Sequence, residues 1–182
     1  MRKTISVLLC AVMTLCLLSA CGNKQSAEEL AALDLMTQVI AGDLSVLETC
    51  TGYEQLPTDF DIFEDTVKTV RAKTVIQTME VTENEDGSKN VILGADAPDL
   101  LKAYNTISVN WLTKALSDPT LTDADIETGI LTDLASDETL ANWRIELLVT
   151  ANEDETFTID VTKARASIEA VYTCNLTTIL EQ

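Results

Sequence analysis

The chain has 182 residues, with 12 basic and 30 acidic side chains and a formal net charge of −18 at pH 7. That balance argues against nucleic acid as a partner, because such binding depends on Lys and Arg neutralising phosphates. Histidine is absent, which removes the Ser-His-Asp triad, the commonest general base and the commonest metal ligand together.

The chain opens with Arg2 and Lys3, then an almost unbroken apolar run over 5–18, then the small residues Ser19 and Ala20 before Cys21. This is the order of a secretory signal: a basic start, an apolar centre and a small-residue cleavage site. Leu18-Ser19-Ala20-Cys21 resembles the lipobox of bacterial prolipoproteins, in which the Cys thiol receives a diacylglyceryl group before signal peptidase II cuts. Gly22-Asn23-Lys24 resembles the start of many Gram-positive lipoproteins. The resemblance implies a signal peptide over 1–20, lipid attachment at Cys21, a short lipidated tether over 21–25 and a single domain over 26–182. It places the protein on the outer face of the cytoplasmic membrane, with the membrane as a partner through the lipid on Cys21. Two alternatives stay open: an uncleaved span, although this run is shorter than the roughly 20 apolar residues a span needs, and an ordinary signal peptide followed by a chance Cys. Two palmitate-like acyl chains, each buried CH₂ worth about 0.8 kcal/mol, would anchor stably where one would be marginal.

Removal of 1–20 leaves 10 basic and 30 acidic residues, a net charge of −20. An anionic membrane surface would repel such a domain, so the lipid must do the holding. Of five cysteines, Cys10 and Cys16 leave with the signal and Cys21 is lipidated, so Cys50 and Cys174 remain. Outside the cell such a pair can oxidise, provided it meets the strict geometry of a disulfide.

The first predicted element of the domain is a helix over 26–40, with Ser26 and Glu29 as a capping box and Gly42-Asp43 as its break. Leu44 and Leu47 extend an apolar face toward Cys50. A loop over 51–58 follows, punctuated by Gly52 and Pro57. Thr58 and Asp61 then form a second capping box for a short helix carrying Phe60, Phe63 and Val67. A Val/Thr/Ile-rich stretch over 70–82 predicts a strand, and a turn at Asp86-Gly87 leads into a second strand over 90–95. Apolar residues on both faces make that second strand a central one.

Asp96 and Pro98 are expected to open a long amphipathic helix with Leu100, Leu101, Tyr104, Ile107, Trp111, Leu112, Ala115 and Leu116 on its buried face. Asp118-Pro119 ends it. Thr122 and Asp125 cap another helix, with Ile126, Ile130 and Leu134 facing inward. Trp143, Ile145, Leu147 and Val149 alternate with polar neighbours, as do Phe157, Ile159 and Val161, which predicts a half-buried antiparallel hairpin. A final helix begins near Lys163 and carries Ile168, Val171, Tyr172 and Ile179. The stretches 81–86 and 149–154 echo each other, each carrying Asn-Glu-Asp where a hairpin turns. A duplication and the repeated use of favourable turn residues both account for the echo.

Candidate chemistry is sparse. Asp123-Ala124-Asp125-Ile126-Glu127 starts like a calcium loop, but the glycine comes one place late, at Gly129, and Leu134 stands where the pattern needs Glu. The acidic turns read as solvated tips and Asn175-Leu176-Thr177 as a coincidental glycosylation sequon. No phosphate loop, dinucleotide turn or nucleophile elbow is present, and no cofactor or metal is expected. Tyr53, Tyr104, Trp111 and Trp143 are the aromatics able to line a pocket, with core packing as the competing role.

The expected fold is α+β, two antiparallel hairpins forming one sheet packed against helices. The helix followed by Ala41-Gly42-Asp43-Leu44, and the closing hairpin ending in Phe157-Thr158-Ile159-Asp160, resemble uncharacterised small lipoproteins with an NTF2-like or cystatin-like domain. The predicted function is a non-enzymatic, lipid-anchored binding or interaction domain for a small ligand, a wall component or an envelope protein. One alternative is a small enzyme using Tyr/Asp acid–base chemistry, with Tyr53, Tyr104 and Tyr172 as candidates. Another is a purely structural envelope docking protein.

Overall fold

The computed structural model describes residues 25–176, so the signal and lipobox residues, Cys21 and Ile179 lie outside the described part. Helix α1 spans Ala27–Ala41. The Ser26 hydroxyl accepts from the Glu29 backbone N–H at 3.2 Å, a cap of the kind worth about 1 kcal/mol. Gly42 closes the helix in the left-handed conformation at φ 95°. Short 3₁₀ turns at Ser45–Thr49 and Asp61–Phe63 lead to α2, Glu64–Arg71. Strands β1 (Val75–Glu83) and β2 (Lys89–Pro98) form the first hairpin. Helices α3 (Leu100–Ser117) and α4 (Asp123–Ser136) follow. Strands β3 (Leu140–Ala151) and β4 (Phe157–Asp160) form the second hairpin, and α5 (Arg165–Thr173) closes the series.

The fold class is α+β, with both hairpins joined in one antiparallel sheet of order β1-β2-β3-β4. Register explains the burial. Val91 faces Leu147, Leu93 faces Ile145 and Ala95 faces Trp143, which puts one continuous apolar face inward. Helix α1 lies across it and touches all four strands, burying Ala32, Leu35, Met36 and Val39. Strand β4 covers just 148–151 of β3, and on its other side Thr51 bridges to Asp160. Farther along, α5 packs against β3 and the Ser167 hydroxyl donates to the Arg144 carbonyl at 2.8 Å, covering what would be a free edge.

The two hairpin turns are the same structure built twice. The N–H groups of Asn84 and Asn152 each donate to the carbonyl of the residue four on, and their carbonyls accept from the N–H of the residue three on. Asp86 accepts from the N–H and hydroxyl of Ser88, and Asp154 does so from Thr156. Gly87 and Glu155 take the left-handed position, at φ 82° and 64°. The echo in sequence is therefore an echo in hydrogen bonding.

Four expectations need correction. Val70 opens no strand: Val67 and Val70, three residues apart, are fully buried on the inner face of α2, and that packing outweighs their β propensity. Helix α2 has Phe63 as its N-cap, without a side-chain capping bond, so Thr58 and Asp61 do not start it. The cap of α3 is Asp99, whose carboxylate accepts from the Lys102 N–H at 3.1 Å, while Asp96 stays in β2 opposite Val75 and Asn142. Lastly, Leu112 and Leu116 on α3 are 60% and 90% exposed rather than buried.

Arg71 ties the far end of α1 to α5. Its buried guanidinium donates to the Ile40 carbonyl at 2.9 Å and the Tyr172 carbonyl at 3.2 Å, and stacks 4.4 Å from the centre of the Tyr172 ring. Both acceptors are C-terminal helix carbonyls, where a cation is favoured.

Candidate functional site

The sequence candidates do not converge. Cys50 and Cys174 are both free thiols. Cys50 reaches the Val46 carbonyl on the first 3₁₀ turn, whereas Cys174 is buried against the Val67 carbonyl of α2. Burial raises the proton affinity of both, pushing Cys174 up to about 12. The disulfide that the sequence left possible is not formed, because the fold assigns the two cysteines to different neighbourhoods, and both thiols stay protonated and unreactive near neutral pH.

Tyr53 lines a niche of about 10 Å³ with Leu47, Leu56, Val161 and Ile168, room for about one water. The Glu54–Arg165 ion pair brings together two further residues of that niche. Tyr172 is in the core with Phe60 and Arg71. Trp143 faces Ala95 on the inner side of the sheet, its indole N–H buried without a partner. Trp111 lies flat on Gly129 of α4, where any Cβ would overlap its ring. Its indole N–H donates to Asp133 at 2.7 Å, and the Lys114 ammonium stands 4.0 Å from the ring centre. Trp111 and Trp143 therefore act in packing. The three tyrosines sit in three separate places.

Two larger concave surfaces remain. The first, about 460 Å³, runs between α1, the first 3₁₀ turn and β4, with Cys50, Phe157 and Ile159 in its wall. Its polar groups are engaged locally: Gln38 donates to Asp34, the Ser45 hydroxyl to Asp43 and the Thr49 hydroxyl to Val46. The second, about 280 Å³, lies between α3, α4 and the turn before α2. Ile62, Tyr104, Leu112, Ile126 and Ile130 make its apolar floor, and Asp123 and Glu127 contribute carboxylates. Tyr104 is fixed there by an edge-on contact with Phe63, ring centres 5.9 Å apart.

This second groove has a clear structural origin. Helices α3 and α4 pack chiefly against each other, and α4 also against α2, rather than on the sheet. The hairpin they form is built firmly. Thr122 and Asp125 make a complete reciprocal capping box, which also holds the Asp125 carboxyl below its ordinary range. The Thr120 hydroxyl and N–H do the same for Asp118 at the turn. Beyond the groove the apolar stripe continues through Val109 and Leu116, both strongly exposed. From 115 to 143 the sequence has seven acidic residues and no basic one. Sequence reasoning found every apolar residue of this stripe on α3 except Val109, but assigned them to the core. The signal it passed over was length, since 18 residues of α3 exceed what the core covers.

Among the described residues no group of three or more His, Cys, Asp or Glu side chains is placed to hold a metal ion, and no helix is long and apolar enough to cross a membrane. The chain matches no known protein family, no curated protein and no solved structure.

Proposed function

We propose that the protein is a lipid-anchored, non-enzymatic interaction module on the outer face of the cytoplasmic membrane, with the α3–α4 groove as its docking face. The observation that carries the docking reading is the uncovered stripe Val109, Leu112 and Leu116 beside that groove. Exposed apolar surface of this kind, rimmed by polar residues, marks interaction sites. The anchoring reading rests on the order Arg2-Lys3, apolar run, Ser19-Ala20-Cys21. The NTF2-like or cystatin-like assignment belongs to the same proposal, supported by one long helix laid across a four-stranded antiparallel sheet.

Binding is favoured over acid–base catalysis by separation: Tyr53, Tyr104 and Tyr172 stand in three different places, whereas an acid–base pair must converge in one pocket.

The anchoring proposal carries an orientation with it. Glu28, in the first turn of α1, pairs with Lys89 at the start of β2, at 2.8 Å, so α1 starts at the end of the sheet that carries the twin turns. A five-residue tether over 21–25 would reach at most about 18 Å, and attachment at Cys21 would turn that end toward the bilayer. The α3–α4 excursion leaves the sheet from its opposite end, after Pro98. Cells grown with a clickable palmitate analogue provide the test. The native chain should carry label and sediment with membranes, and Cys21→Ser should carry none. A native chain without label would overturn the anchoring.

A further inference from the structure

We infer that the α3–α4 groove binds a cationic amphipathic helix, its apolar face on Leu112, Ile126 and Ile130 and its basic flanks on Asp123 and Glu127. The inference deepens the docking reading and rests on it. Shape supports a helix: the apolar floor lies between two neighbouring helices, α3 and α4, with the exposed residues 109, 112 and 116 along one face of α3, and two packed helices accept a third by seating its side-chain ridges in their grooves. Charge chooses the sign. Among the described residues the charged groups in the groove wall are Asp123 and Glu127, and α4 carries no basic residue along its length. The nearest lysine on α3, Lys114, is turned onto the Trp111 ring. Lys68 of α2 is engaged by Glu64 at 2.7 Å. An anionic or neutral helix would meet uncompensated carboxylates, whereas Lys or Arg flanks would be steered in and paired.

The probe is a synthetic helix of about 18 residues with Leu along one face and Lys on the other, titrated onto the full-length chain in zwitterionic nanodiscs. Discs carrying the Leu112→Asp chain serve as the blank and cancel partition into lipid. The native chain should bind at least about tenfold more tightly than Leu112→Asp and than a paired Asp123→Lys/Glu127→Lys variant. A Glu85→Lys/Glu153→Lys variant has the same net charge but is altered at the distant hairpin turns, at exposed positions that leave the Asp86 and Asp154 bonds in place, and should stay within about twofold. Thermal unfolding of each variant, expected near native because the changed side chains are exposed, separates lost binding from lost fold.

Equal loss in the distant-turn variant would reduce the effect to bulk charge and overturn the inference. Leu112-dependent binding of a Glu-for-Lys probe as tight as that of the Lys probe would also overturn it, while leaving the docking face intact. Absence of Leu112-dependent binding by either probe would remove both, without touching the anchoring, which the palmitate experiment decides separately.

Discussion

The two halves of α3 carry similar sequence and lead different lives. In the first half Leu100 is 2% exposed and Ala103 and Ile107 are buried with it as members of the hydrophobic core. In the second half Leu112 and Leu116 lie open. The amphipathic pattern is equally good in both. What differs is the supply of a second surface. The Leu100 N–H donates to the Cys174 carbonyl, so the first turn is fastened to the end of α5. The distal turns have only α4, whose own apolar residues Ile126 and Ile130 stop at half burial. A hydrophobic stripe therefore says that a helix will be covered, and not whether the cover comes from its own chain.

The largest expected effect comes from truncating the covered half. Leu100→Ala should cost about 3 kcal/mol, the ordinary toll of a large-to-small change in a closed core. For a domain of this size that lowers the unfolding midpoint by roughly 10 °C. Calorimetry on matched variants at Leu100 and Leu116 would measure the contrast directly, and similar losses at both positions would dissolve it.

A smaller effect is expected where α1 is pinned to the sheet. The Glu28–Lys89 pair is well covered, with side chains 15% and 19% exposed. The Lys89 hydrogen bond, with help from the backbone, holds the Glu28 carboxyl below its ordinary value of 4.5. A carboxyl lowered in the folded state stabilises above its unfolded value and loses that contribution as pH falls through the lowered one. Glu28→Gln should thus cost about 1–2 kcal/mol at neutral pH, between exposed and fully buried pairs. The deficit should shrink steadily below pH 4.5. Denaturant titrations across that window would show no deficit, or one that does not change with pH, if the ion pair contributed nothing.

Legibility followed the range of the forces. Features set within a few residues could be read from sequence: the Ser26 cap, the Thr122–Asp125 box, and the twin turns in which Asn and Asp bond to residues two and four on. The alternation from Trp143 to Val149 was equally plain, because a sheet with one covered face imposes a period of two. The border near Val70 was not, since β-branched residues serve a strand or the buried face of a short helix equally well until α4 and α5 supply the packing. The cysteine pair and the groove depend wholly on which elements meet. Length and composition gave no access to that, although the run of 29 residues without a base before Arg144 was in view.

Gly129 tests how firmly the hairpin itself is joined. On helix propensity alone Gly129→Ala would gain about 1 kcal/mol. The Trp111 ring, however, occupies the space of the new methyl, and overpacking of this kind costs about 1–3 kcal/mol. The second effect should win by about 1 kcal/mol, with Trp111 swung outward and its bond to Asp133 lost. Fluorescence in a Trp143→Phe background should then shift to the red. A stabilised protein with unchanged emission would mean that Trp111 does not clamp α3 to α4.

The smallest effect is the most informative about the outer half. Leu116 is 90% exposed, so Leu116→Ala removes almost no buried area, and Ala is at least as good a helix former. Stability should stay within about 0.5 kcal/mol of native. Were the loss instead to approach that of Leu100→Ala, the distal stripe would already be covered in the free protein, and α3–α4 would have no docking face to offer. A neutral result, set beside a large loss at Leu100, leaves the outer half of α3 with apolar surface that folding does not use.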